Sequence, residues 1–133
     1  MLKSIVIIGA LALAGCVEQT VDVTPEAGAV AFAQDCAGCH GDDARGAGDF
    51  GRGLIQAPPD LTTLTQRYGG TYPGDFVMST IDGYTRGDHF SAAMPEFGAG
   101  DMGPTVIVEQ DGIGTPVPAR LLALSAYLEN VQQ

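Results

Sequence analysis

Short apolar periods separated by glycine-rich stretches run along the chain, and each period suits a helix. The first opens at Thr24-Pro25, where threonine suits an N-cap and proline the first helical position. The predicted helix continues to about Asp35 and sets Gly28, Phe32 and Cys36 on one stripe at four-residue steps. Asp60 can cap a short helix carrying Leu61, Leu64 and Tyr68, which Gly69-Gly70 stops. A further helix over about Asp75 to Asp82 turns Phe76, Val77, Thr80 and Ile81 inward and ends at Gly83. Pro118 opens the last, PARLLALSAYLENVQ, with Leu121, Leu124, Leu128 and Val131 at helical spacing.

The intervening segments read differently. GDDARGAGDFGRGLIQAPP, after His40, has no sustained period and is a long loop of the kind that in small domains is functional or wrapped around something. Residues 84–104 show turn chemistry. TVIVEQDGIGTPV alternates weakly about Asp111-Gly112, the signature of a small hairpin near 105–117. The opening MLKSIVIIGALALAGC has one positive charge, Lys3, then an apolar run from Ile5 to Ala14. That run is too short for a hydrocarbon core needing about 20 apolar residues, and it has the form of a secretory signal.

Composition sharpens this. At 133 residues the chain fits one domain. Leu13-Ala14-Gly15-Cys16 resembles the bacterial lipobox, which implies lipidation of Cys16 after removal of residues 1–15. Residues 16–23 are then a short tether and 24–133 the domain. Seven flexible residues reach about 15 Å on average and roughly 25 Å stretched, which keeps the domain near a bilayer and points to a membrane-bound partner. Sixteen acidic residues against six basic ones give a net charge of −10. A chain this acidic is a poor ligand for nucleic acid and favours a partner with a basic docking face.

The candidate chemistry is FAQDCAGCHGDD, in which Cys36, Cys39 and His40 fall within five positions. Export implies an oxidising compartment, where free thiols need a purpose. A structural zinc site would need four ligands, and the soft candidates are Cys36, Cys39, His40 and His89, two of them adjacent in sequence. A thioredoxin-type pair belongs after a strand in a βαβ unit, whereas this motif follows a helical pattern. Cys-x-x-Cys-His is also the attachment signature of c-type haem, and adjacency that is awkward for one small ion suits a planar macrocycle.

From about Pro25 to Tyr127 the chain resembles a class I c-type cytochrome. The resemblance implies an all-α cytochrome c fold, three to five short helices and long loops wrapped around one covalently bound haem c. Gly28 and Phe32 match the family's N-helix glycine and the aromatic before the haem motif, and Leu124 and Tyr127 match its C-helix partners. By the same resemblance Cys36 and Cys39 carry the thioether bonds, His40 is one axial iron ligand, and the Pro59 carbonyl orients its ring, with Leu61 beside it on the haem. Met94, followed by Pro95, resembles the family's distal methionine. Met102 and His89 are the alternatives, and Met78 reads as helix packing. Tyr68, Tyr84 and Arg86 are candidates for contact with propionates, which spacing alone does not place.

The implied function is single-electron transfer by a membrane-anchored monohaem cytochrome on the periplasmic side of a bacterial cell envelope, with no bond chemistry of its own. Asp35, Asp42, Asp43 and Asp49 flank the motif, partly offset by Arg45 and Arg52, and form the expected acidic docking face. Other classes stay open: a haem enzyme or a sensor with an exchangeable sixth ligand, or the haem subunit of a dehydrogenase or oxidase complex.

Overall fold

The structure is a computed structural model and describes residues 21–84 and 93–133. Expectations for Cys16, Arg86 and His89, and for the signal segment, lie outside those residues. Five helices occur among the described residues: α1 Pro25–Asp35, α2 Ala37–His40, α3 Leu64–Arg67, α4 Gly74–Asp82 and α5 Ala119–Asn130. One antiparallel pair accompanies them, β1 Thr105–Gln110 and β2 Ile113–Pro118. No helix among the described residues is long and apolar enough to cross a membrane.

Helix α1 starts as its sequence dictates. The Thr24 hydroxyl accepts from the Ala27 N–H at 3.3 Å, and Pro25 takes the first position, where a missing N–H costs nothing. Helices α1 and α5 then pack on each other through Gly28. A Cβ at that position would lie 1.9 Å from the Ala123 carbonyl oxygen and 2.7 Å from the Tyr127 Cβ, so only glycine permits the approach. Phe32 lies next to this crossing, its ring centroid 5.1 Å from that of Tyr127 in a tilted contact. The core spreads from there through Ala31, Leu121, Leu124 and Leu128 to Leu64, Val77, Ile81 and Met102.

The C-terminal stripe behaves as its period requires except at its end. Leu121, Leu124 and Leu128 are buried, while Val131 is half-buried beyond the last helical residue. The single helix expected after Asp60 is two pieces, a 3-10 turn over Leu61–Thr63 and then α3. Asp60 does cap it, accepting from the Thr62 N–H at 2.8 Å, and Gly69 and Gly70 stop it with positive φ. The hairpin pairs Thr105 with Pro118 through to Gln110 with Ile113, one residue beyond the expected end. Asp111 and Gly112 both have positive φ, the backbone of a type I′ turn that matches strand twist. Its strands are largely exposed, with Ile107 and Ile113 facing solvent.

Candidate functional site

The chain leaves α1 at Cys36, which is its C-cap, and turns at once through α2, the short helix that holds Cys39 and His40. The loop that follows is fastened back onto this turn by main-chain bonds. Gly46 N–H donates to the His40 carbonyl at 2.6 Å, Gly48 N–H to that of Cys39 at 3.2 Å, and Phe50 N–H to that of Gly38 at 2.9 Å. Gly46 takes φ +86°, and a Cβ there would meet the Pro58 carbonyl oxygen at 2.1 Å. The glycines thus let residues 41–60 fold under the motif and bring Pro58-Pro59 across to its histidine.

These elements enclose an apolar cleft of about 300 Å³, within the size range of sites for sizeable organic ligands. Cys36, Cys39 and His40 line one side of it. Pro59, Leu61 and Leu64 form a wall, Phe76, Val77, Thr80 and Ile81 of α4 form another, and Met94 lies in the lining with Pro95 and Phe97. The face of α4 read as inward is therefore the face turned to the cleft, and Phe76 is 45 % exposed for that reason.

Chemistry separates the readings of the cysteine pair. Both cysteines are free thiols. Burial, reinforced by the negative Asp35, pushes the Cys36 thiol up to about 12, against a smaller opposing pull from Arg120. A redox-active pair depends on a lowered thiol pKa, so this environment is the wrong one for thioredoxin-type exchange. Among the described residues no three His, Cys, Asp or Glu side chains converge as a metal-binding group, which leaves zinc without a ligand set there.

His40 suits an iron ligand better than a proton carrier. Burial lowers its pKa while the neighbouring Pro59 carbonyl acts to raise it, so the ring is neutral at physiological pH, as ligation requires. Its Nδ1 is buried, and the Pro59 backbone is the hydrogen-bonding neighbour that opposes the effect of burial on the ring. An apolar cleft with two free thiols, a neutral imidazole and a thioether on its lining fits a covalently attached haem.

Met94, the favoured methionine, and Met102, its alternative, have different surroundings. Met94 lines the cleft with His40. Met102 is buried in the core beside Ala27, Ala31, Ala119 and Ala123, away from the cleft lining, and serves as packing. Met78 packs against the core, as read. Tyr68 lines the cleft and Tyr84 is 87 % exposed. Sequence reasoning passed over Arg67, which lines the cleft close to Tyr68 and donates to the Asp60 carbonyl at 2.6 Å. The signal was available as the lone cation between Asp60 and Gly70.

The four flanking carboxylates are less alike than their spacing suggests. Asp49 pairs with Arg52, and Asp35 pairs with Arg120, 85 residues away. Asp42 and Asp43 form no ion pair among the described residues. The acidic face therefore narrows to those two.

Comparison with curated proteins and with solved structures finds no match. A family model described as cytochrome c matches residues 25–112, more than half of the chain, and spans α1, the Cys-x-x-Cys-His turn and the cleft wall. A haem-attachment turn docked on an α1–α5 crossing, a neutral histidine facing an apolar cleft and that match agree: the chain belongs to the cytochrome c family, whose members bind haem c covalently and transfer electrons with redox partner proteins.

Proposed function

We propose that this cytochrome is a lipid-anchored single-electron carrier of the bacterial cell envelope, in which residues 1–15 are a signal peptide, Cys16 carries the lipid, residues 16–23 are the tether and residues 24–133 the haem domain. One observation carries the electron-carrier reading: Cys36, Cys39, His40 and Met94 converge on a single apolar cleft. Cys36 and Cys39 would hold the group by thioether bonds, His40 and Met94 would ligate its iron, and Pro59 and Leu61 would bound it beside His40. Haem bound in this way supplies one-electron cycling between ferrous and ferric iron. A thioether ligand from Met94 would favour the reduced state and raise the potential, and His40 and Met94 together would suit electron transfer better than substrate binding.

The experiment is the optical spectrum of the purified holoprotein. The oxidised form is expected to show the weak red band of sulfur-to-iron ligation, lost in Met94→Ala and kept in Met102→Ala. Loss in Met102→Ala instead, or a wild-type protein without the band, rejects Met94 as ligand and reopens the catalytic and sensing readings. For the anchor, Cys16→Ser is expected to release the protein from the membrane fraction.

The partner is proposed to be membrane-bound, within reach of the tether, and basic where it docks. Asp42 and Asp43 support this, being carboxylates beside the attachment turn that form no ion pair among the described residues. The association rate with that partner should fall as salt rises, because exposed charges are screened within a Debye length of about 10 Å at 0.1 M. A second reading, the haem subunit of a larger complex, is favoured by the exposed hairpin with its solvent-facing Ile107 and Ile113. Copurification of a stoichiometric partner separates it from a free-standing carrier.

A further inference from the structure

The wall over Leu61–Tyr68 is too short to hold its own shape. A three-residue 3-10 turn and a four-residue helix fall well below the length at which a helix is stable by itself, about 12 residues or more. Asp60 satisfies the Thr62 N–H, but the Thr65 N–H, in the first turn of α3, has no partner within the helix.

Gln132 supplies it. Its side-chain carbonyl accepts from the Thr65 N–H at 2.9 Å. Its amide nitrogen donates to the Leu61 carbonyl at 2.8 Å and to the Leu128 carbonyl, in the last turn of α5, at 2.6 Å. Only this orientation of the carboxamide serves all three partners, because the reverse would set NH2 against N–H. Next to it, the Gln133 N–H donates to the Thr62 carbonyl at 3.0 Å and the Gln66 amide donates to the Gln133 carbonyl at 3.0 Å. Leu61, Leu64, Arg67, Tyr68 and Leu128 all line the cleft, whereas Gln132 does not.

We propose that Gln132 is a positioning residue for the haem: its carboxamide clamps the Leu61–Tyr68 wall to the end of α5 and so fixes the apolar surface against which the group sits. This rests on the reading that the haem occupies the cleft. The consequence is electrochemical. A loosened wall admits water, water favours the more highly charged ferric site, and the reduction potential falls.

The test compares holoprotein variants by amide hydrogen exchange and by reduction potential. In Gln132→Ala, exchange over residues 61–68 should accelerate by about tenfold or more while α1 changes little, and the potential should drop. Tyr72→Phe is the control, since it removes a different tie to α5, the Tyr72 hydroxyl to the Ser125 carbonyl at 3.0 Å, from a residue outside the cleft lining. Its potential should match the wild type. If Gln132→Ala fails to fold, Gln66→Ala removes an exposed bond of the same clamp and should move both readouts in the same direction by less. Faster exchange with an unchanged potential would make the clamp purely structural, and unchanged exchange would mean that it does not hold the wall; either overturns the proposal. Loss of the Met94 assignment would show separately, as a missing sulfur-to-iron band in the unaltered protein.

Discussion

Gly28→Ala sets two effects of opposite sign against each other. Helix propensity favours alanine by about 1 kcal/mol in a helix interior, so α1 alone would gain. Packing opposes it. The new methyl would lie 1.9 Å from the Ala123 carbonyl oxygen, over an ångström inside the closest approach that real Cβ atoms make, and the obstacle is backbone that cannot rotate away. Relief requires α1 and α5 to part by about 1 Å, and a gap of that size forfeits roughly a quarter to a half of each dispersion contact across it. Phe32, Leu121, Leu124 and Leu128 belong to the core on this interface, so the loss is several times a single contact, and overpacking of this kind costs about 1–3 kcal/mol or somewhat more. With the propensity gain subtracted from the upper part of that range, a net destabilisation of about 1–2 kcal/mol is expected, a noticeable share of the roughly 5–15 kcal/mol that holds a domain together. Guanidinium unfolding of the holoprotein, followed by circular dichroism, reads it as a lower midpoint at unchanged slope. Because α1 runs directly into Cys36, haem content of the purified variant should fall as well. A midpoint equal to or above the wild type would refute the argument and show that the helices do not approach this closely.

Three further outcomes follow from individual residues. Met102→Ala should cost about 2–5 kcal/mol in denaturant unfolding, as a buried core truncation, while the sulfur-to-iron band survives. Burial raises the Tyr72 hydroxyl from 10.0 to about 12, against a smaller lowering by its bond to Ser125. The folded state therefore holds the neutral phenol more tightly than the unfolded chain does, so its contribution is complete below pH 10 and lost as pH climbs towards 12. Tyr72→Phe should flatten that part of the stability-versus-pH curve. Gly46→Ala places a Cβ 2.1 Å from the Pro58 carbonyl oxygen at a φ that favours glycine, and should both destabilise the protein and disturb His40 ligation, read as a displaced Soret or sulfur-to-iron band. A Gly46→Ala protein with wild-type spectra would mean that the loop does not position Pro59.

Features with a local cause were legible in the sequence. The Thr24-Pro25 start, the Gly69-Gly70 stop, the Asp111-Gly112 turn and the α5 stripe each depend on residues within a few positions, and each is present. The Cys36, Cys39 and His40 constellation is legible for the same reason. Local composition does not separate Met94 from Met102, since both sit on loops rich in glycine and acid, and only the resemblance of Met94-Pro95 to the family's methionine ranks it first. What separates them is which faces the cleft and which faces the alanines of α1 and α5, and that depends on how helices far apart in sequence pack. Of the acids flanking the motif, Asp35 pairs with Arg120, a pairing with no periodic trace in the sequence.

The cleft wall is the sharpest case of the same limit. Spacing predicts one helix over Leu61 to Tyr68, yet the chain forms a 3-10 turn and a single α-turn there. Neither repays the entropy of nucleation unaided. Asp60 at one side is a visible cap, because it sits next to what it caps. Gln132 is not visible in that way: a glutamine near the end of an amphipathic helix reads as solvated surface, and its partners lie 67 and 71 residues earlier. The apolar pattern thus tells which residues face the cofactor, while the polar contacts that hold them there are set only once α5 has docked. The wall should accordingly be among the last parts of the site to form, after the α1–α5 crossing and not before it.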